Sequence, residues 1–303
     1  MNLSWHMFRS LRPNQWTKNL VVLAAFFFAF GDKSQSIPFL FLFRILIACS
    51  LFCLASSGIY ILNDIGDVKS DRAHPAKRYR PIAAGHVSIP VASILAFSLL
   101  TVSLAGSYIL SLPFGVVVSS YIAMQVVYTL WLKKIALVDV FIIAFGFVLR
   151  AAGGGVAIQV AISPWLLVCA FLLALFLALC KRRHEKILFE NSTEPHRASL
   201  ENYDRQLLDQ LIAIVSAATI VSYSVYTLSP DTVLKFGTSL LSLTIPFVIF
   251  GIFRYLDLVY RRDEGERPER ILLTDVVLIV DLALYGVCVL GIFLFTHSGH
   301  HAL

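Results

Sequence analysis

The chain has 303 residues, 58% of them hydrophobic and 15% charged, with a formal net charge of +6 and a mean hydropathy of +0.77. This balance excludes a water-soluble globular protein, and it assigns the positive charge to topology and anionic-lipid contact rather than to nucleic-acid binding. Apolar runs long enough to cross a bilayer recur throughout, so the expected fold class is an all-α integral membrane bundle forming one domain over residues 1–303.

The runs predict about nine membrane helices, beginning near Leu20, Phe39, Ile89, Phe114, Leu137, Pro164, Leu207, Ser239 and Ile271. Before the first, Trp5, Phe8 and Leu11 mark a short amphipathic helix lying in the interface. Arg9, Arg12 and Lys18 followed by Leu20 to Phe30 have the form of a signal peptide, but no cleavage site follows, so the run is read as a retained helix. The segment Arg12-Pro13-Asn14-Gln15-Trp16-Thr17-Lys18-Asn19 is either a Trp anchor with topogenic cations or part of a phosphate site.

The second helix ends in Asn63-Asp64-Ile65-Gly66-Asp67-Val68-Lys69-Ser70-Asp71, followed by His74, Lys77, Arg78 and Arg80. If helical, the stretch places Asn63, Asp67 and Asp71 at i, i+4 and i+8 on one face. Such a row of hard oxygens suits Mg²⁺, which takes its remaining ligands from water and substrate phosphates. The bases just downstream would meet those phosphates, and Asp64 is either a further ligand or an orienting group.

Weaker polar constellations follow. Tyr128 with Lys133 and Lys134 closes the fourth helix, and Lys181-Arg182-Arg183-His184-Glu185 closes the sixth; both also serve as topogenic charge. Arg150 lies inside the fifth helix, roughly 20 Å from its start. A charge so placed is expected to have a partner in the bundle: Arg150 and Asp281 of the ninth helix are expected to pair or to flank one polar chamber, either as an ion pair holding two helices together or as part of a lipid-phosphate site. Gly153, Gly154 and Gly155 permit a close backbone approach or a helix break. Glu201, Tyr203, Asp204 and Asp209 lead into the seventh helix, where acids favour the N-terminus in any case. Cys49, Cys53, Cys169, Cys180 and Cys288 all lie in apolar runs without zinc-ligand spacing and read as packing residues.

Lys33, Arg44 and Lys235 fall near one set of helix ends, whereas the other Lys and Arg residues, Arg150 apart, fall toward the opposite set. By the positive-inside rule the second set is cytosolic, the N-terminus is inside, and every polar loop above faces the cytosol.

These residues resemble a known superfamily. NDIGDVKSD is similar to the first Asp-rich motif of the UbiA superfamily of intramembrane prenyltransferases, bundles of nine transmembrane helices. RPNQWTKN, NDIGDVKSDRAHPAKRYRPIAAGHV, DVFIIAFGFVLRAAGGG and KRRHE resemble one branch of it, the decaprenyl-phosphate phosphoribosyltransferases, over nearly the whole chain. The resemblance implies Mg²⁺-dependent transfer of 5-phosphoribose from phosphoribosyl diphosphate to a polyprenyl phosphate in a bacterial plasma membrane, for a cell-wall precursor. The implied site comprises Asn63, Asp67 and Asp71 on the metal, with Asp64 beside them. Lys18, His74, Lys77, Arg78, Arg80, Lys133, Lys134, Arg150, Lys181, Arg182 and Tyr203 are expected around the substrates.

The second Asp-rich motif of prenyltransferases, DxxxD, is not matched. The nearest acids, Asp204 and Asp209, are five residues apart and fall about 140° apart around a helix, which does not make one ligand face. A prenyltransferase acting on an aromatic or glycerol-phosphate acceptor remains the alternative, with a transporter or assembly subunit behind it. Homo-oligomerisation is left open.

Overall fold

In the computed structural model, residues 2–31, 39–190, 203–261, 271 and 274–298 are described, and every regular element among them is helical. Eight of these helices are long and apolar enough to cross a bilayer. They are α3 (Phe39–Gly66), α5 (Ile89–Leu110), α6 (Leu112–Leu130), α7 (Val138–Ile158), α8 (Pro164–Glu190), α9 (Arg205–Leu228), α11 (Ile245–Arg261) with the 3₁₀ turn Leu240–Thr244 before it, and α12 (Val276–Ser298). The short helices are α1 (Leu3–Ser10), α2 (Ala24–Phe30), α4 (Val68–Ala73) and α10 (Pro230–Phe236).

The first expected span takes another form: a 3₁₀ helix, Pro13–Leu23, leads into α2. At rises of about 2.0 Å per 3₁₀ residue and 1.5 Å per α residue, eighteen residues in line cover roughly 32 Å, enough for the hydrocarbon layer. Apolar runs do not distinguish the two helix types, because both satisfy every backbone bond internally.

Helix starts follow local chemistry. Ser111 Oγ accepts the Phe114 N–H at 3.3 Å, with Pro113 in the first turn of α6. Ser229 Oγ likewise accepts from Thr232 N–H ahead of Pro230-led α10, which ends at Gly237 in the left-handed region, φ 65°.

The chain divides into two compact units. The first lies within residues 1–26 and 38–161, with a core of Ile61, Val68, Ile82, Val87, Ala92 and Ala96. The second lies within 27–37, 162–192 and 200–303, and its core includes Tyr223, Tyr226, Phe236, Leu241 and Phe293.

In the first unit the glycine run of α7 serves close approach, and the helix stays unbroken. A Cβ on Gly154 would collide with the Val22 carbonyl oxygen of the 3₁₀ helix, and one on Gly153 would lie 2.7 Å from the Phe52 ring. Because Val22 O is backbone, Gly154→Ala is expected to cost about 1–3 kcal/mol by overpacking and to lower the melting temperature in detergent. Gly291→Ala, where a Cβ meets nothing, should not lower it, because Ala is the better helix former.

Candidate active site

Helix α3 carries Asn63 and Asp64 at its end, and Asp67 (φ −96°, ψ 6°) joins it to α4. Helical backbone bonds run through the junction, Asp67 N–H to Asn63 O at 2.9 Å and Asp71 N–H to Asp67 O at 2.8 Å. The predicted register is therefore kept, but the side chains sort into two groups rather than one row. Lys133 Nζ, from the 3₁₀ turn Leu132–Lys134, donates to Asn63 Oδ1 at 3.1 Å and Asp67 Oδ1 at 2.6 Å. Arg80 Nη1 donates to Asp64 Oδ1 at 3.1 Å and Asp71 Oδ2 at 2.7 Å. Arg12 Nη2 also donates to Asp64 Oδ1. The expected Asn63, Asp67 and Asp71 set is thus divided, because Arg80 draws Asp71 toward Asp64.

Three carboxylates and three cations interleave here within one unit. Asp64 and Asp71 are almost fully buried, whereas Asp67 keeps 29% of its side-chain exposure. The Lys133 ammonium marks a point on which the Asn63 and Asp67 oxygens converge around one positive charge. That donor set is chemically suited to a hard divalent ion. Among the described residues no group of three or more His, Cys, Asp or Glu is arranged to hold an ion by protein ligands alone. A cation here would draw on water and substrate oxygens, as Mg²⁺ usually does.

Arg12, which the sequence left between anchor and site, is part of the cluster. It adopts the left-handed region, φ 54°, between α1 and the 3₁₀ helix. Such a conformation costs a bulky residue about 1–3 kcal/mol. The Asp64 pair and a Tyr60 ring 5.2 Å beneath the guanidinium offset it. Ser57 of α3 stitches the same segment down, donating to Leu11 O at 2.9 Å and accepting from Trp16 Nε1 at 3.0 Å. His6 of α1 stacks on His86, ring centroids 4.2 Å apart, and so joins the chain before Arg12 to the loop after Arg80. Packing around His6 and the nearby His86 both hold its imidazole below the usual range.

The remaining bases of the first unit surround this cluster in sequence but do not all enter it. His74 Nδ1 accepts the Ala76 and Lys77 N–H groups at 3.2 and 3.4 Å and shapes the turn. Lys77 and Arg78 are exposed on the 3₁₀ turn Lys77–Tyr79, with Arg78 lying over Tyr79 at 4.9 Å. Lys134 is exposed and Lys18 half-buried.

Arg150 is buried and keeps its bonds inside the first unit. Nε donates to Asn19 Oδ1 at 2.7 Å, Nη1 to Gly146 O at 2.9 Å and Nη2 to Tyr121 OH at 2.7 Å, with the Tyr121 and Phe147 rings at 4.7 and 5.4 Å. These bonds require no Asp281. They place Arg150 as a support for the 3₁₀ helix rather than as a hand on substrate. Asn19 completes the joint, donating to Ser56 Oγ at 3.1 Å and Cys53 Sγ at 3.2 Å. Cys49 Sγ donates to Asn19 O at 3.5 Å, so two cysteines expected only to pack also line this joint. Sequence reasoning missed Tyr121 altogether, and it placed Asn19 in the polar segment before the first span without its bond to Arg150.

The second unit holds the other expected residues. Lys181 and Arg182 both pair with Glu185, Lys181 at 3.9 Å, and Arg182 is 3% exposed. Arg183 Nε donates to Asp209 Oδ1 at 2.6 Å and lies over the Tyr260 ring at 4.0 Å, while Tyr260 OH donates to the same oxygen at 2.9 Å. Asp204 caps α9, accepting the Leu207 N–H at 3.0 Å, and Tyr203 is buried beside it. Asp204 and Asp209 therefore have separate duties and do not form a ligand face. Glu201 lies outside the described residues.

Apolar spanning helices and an acid–base cluster at the end of α3 define a multi-pass membrane protein, and residues 20–278 match the UbiA prenyltransferase family. The chain belongs to that family. It is 39% identical over 293 residues to the decaprenyl-phosphate phosphoribosyltransferase of Mycolicibacterium smegmatis, covering 94% of this chain and 92% of that protein. The protein of the same name from Mycobacterium tuberculosis is 36% identical over 291 residues, 96% of this chain and 94% of its own length. A UbiA homolog from Archaeoglobus fulgidus, solved bound to GPP and Mg²⁺, superposes with a TM-score of 0.69 at 17% identity, over 97% of this chain and 98% of that one.

Proposed function

We propose that this protein transfers 5-phosphoribose from phosphoribosyl diphosphate to a polyprenyl phosphate of the decaprenyl class, releasing pyrophosphate, with residues 1–303 acting as one membrane domain. The observation that carries the reading is the interleaving of hard-oxygen groups and cations at the end of an apolar helix. Ligands for a divalent ion and donors for phosphates lie one hydrogen bond apart. The extent of identity to the mycobacterial phosphoribosyltransferases supports it.

Asn63 and Asp67 would hold Mg²⁺, with Asp71 joining them once Arg80 turns from it to a substrate phosphate, and the ion when bound would neutralise a departing pyrophosphate. Lys133 exchanges the Asn63 and Asp67 oxygens for an oxygen of the donor diphosphate. Arg80 and Arg12 orient Asp64 and Asp71. Lys77 and Arg78, exposed beside the cluster, reach the phosphates, Arg as a planar fork and Lys as a point charge. The anomeric C–O bond to pyrophosphate breaks as an oxygen of the lipid phosphate bonds to that carbon. The acceptor is already anionic near neutral pH, so alignment matters more than a general base.

Labelled phosphoribosyl diphosphate with decaprenyl phosphate should yield a labelled lipid, and prenyl diphosphate with 4-hydroxybenzoate should yield nothing. The reverse pattern would establish a prenyltransferase. In the same assay Lys77→Ala and Arg78→Ala should each raise KM for phosphoribosyl diphosphate about tenfold to a hundredfold, the worth of one charge-assisted hydrogen bond. KM for the lipid should hardly move.

The site faces the cytosol of a bacterial plasma membrane, and the product supplies a lipid-linked pentose for cell-wall or glycan precursors. A cysteine placed beside Ser111 should label from outside intact cells and one beside Ser192 should not; the opposite labelling would invert the topology.

A further inference from the structure

We propose that the groove between α3 and α5, at the membrane boundary opposite the acid–base cluster, binds one glycerophospholipid. Its phosphodiester lies on Arg44 and an acyl chain runs along the groove. The proposal is independent of the transferase reading.

Position comes first. Arg44 and Asn63 are on one unbroken helix, and nineteen residues at 1.5 Å each separate them by roughly 28 Å. That is close to the ~30 Å hydrocarbon thickness. With Asn63 and Asp64 at one boundary, Arg44 stands at the other, near the depth of the opposite leaflet's phosphates. Leu110, the last residue of α5, is at the same level, because its carbonyl oxygen accepts from Arg44 Nη2 at 3.2 Å.

The chemistry of the groove then selects its occupant. It has a volume of about 450 Å³ and is walled by Leu40, Ile47 and Leu51 of α3 and Ile109 of α5, with Arg44 as its one charged residue. Leu51 packs over Gly106, 2.7 Å from where a Cβ would stand, which sets the floor. A guanidinium has five N–H donors, and Arg44 is half-buried with the Leu110 carbonyl as its hydrogen-bond partner among the described residues. That bond satisfies one of the orphan carbonyls at a helix C-terminus, and Arg44 itself lines the groove. An apolar trough with one planar cation at headgroup depth matches a molecule that joins a hydrocarbon chain to a phosphodiester.

The test uses the full chain in mild detergent, titrated with phosphatidylglycerol and followed by native mass spectrometry. Dioleoylglycerol, which has chains but no phosphate, serves as the control. The wild type should retain one phosphatidylglycerol per chain. Arg44→Gln should bind it about tenfold to a hundredfold more weakly, the loss expected for a charge-assisted bond, and Arg44→Lys should fall between. Ile109→Trp should also weaken retention by filling the trough with the charge intact. Its side chain is 86% exposed, so the fold tolerates the change. Equal retention by the wild type and Arg44→Gln would overturn the proposal. So would dioleoylglycerol binding as well as phosphatidylglycerol, or a dimer mass replacing the lipid adduct.

Discussion

Asp67→Asn is expected to lower phosphoribosyl transfer at least about a hundredfold while leaving the melting temperature within a few degrees of wild type. The structure makes Asp67 the cleanest of the acids to test. It is partly exposed, and its carboxylate accepts from Lys133, itself at the site's edge. A pair of this kind contributes only about 0–1 kcal/mol to stability. The Lewis-acid stabilisation that Asp67 would help supply is worth several kcal/mol, and about 1.4 kcal/mol is a factor of ten in rate. Wild-type turnover in Asp67→Asn, measured at saturating Mg²⁺, would remove it from the metal site. Asp71→Asn should be equally inactive but less informative, because Asp71 is buried against Arg80 and its loss also disturbs the fold.

Arg80→Ala should produce the largest stability loss in the cluster, about 3 kcal/mol or more, with activity lost as well. Arg80 joins two buried carboxylates, and breaking such a pair from one side leaves charge without compensation, typically at about 3–5 kcal/mol. Asp64 keeps Arg12, so the uncompensated group is chiefly Asp71. A double-mutant cycle isolates that effect. Adding Asp71→Asn to Arg80→Ala should recover part of the stability and none of the activity. If the double variant is as unstable as the sum of the singles, the two residues are not coupled in the folded state.

Much of this site is legible in the sequence. The i, i+4, i+8 acids and the bases after them lie close together in sequence, so their register survives translation into helix. Their partners did not have to be local. Lys133 comes from 70 residues away and Arg12 from 52, and nothing in either neighbourhood says which carboxylate each will meet. That is why the row was read as three ligands and is found as two cation-bridged pairs. The first span was legible as an apolar run but not as a 3₁₀ helix. For the buried cation Arg150 sequence reasoning sought an acid. The fold instead supplied an amide, a carbonyl and a phenol. The glycine run leaves a close approach and a helix break open in the sequence; the structure shows the approach, and its counterpart, the Val22 carbonyl, is a backbone atom that no composition identifies.

The cancellation of charge in the cluster bears on how the site would be blocked. A lone anion arriving there must pull Arg80 or Lys133 off its carboxylate, and a lone metal must evict Lys133 from Asn63 and Asp67. Each would repair half of what it breaks. A compound presenting a chelated divalent ion and a second, separate phosphate-like group replaces both sets of contacts in one step. Bisphosphonates with an added distal acid should therefore outcompete simple phosphates by more than their extra charge alone would give.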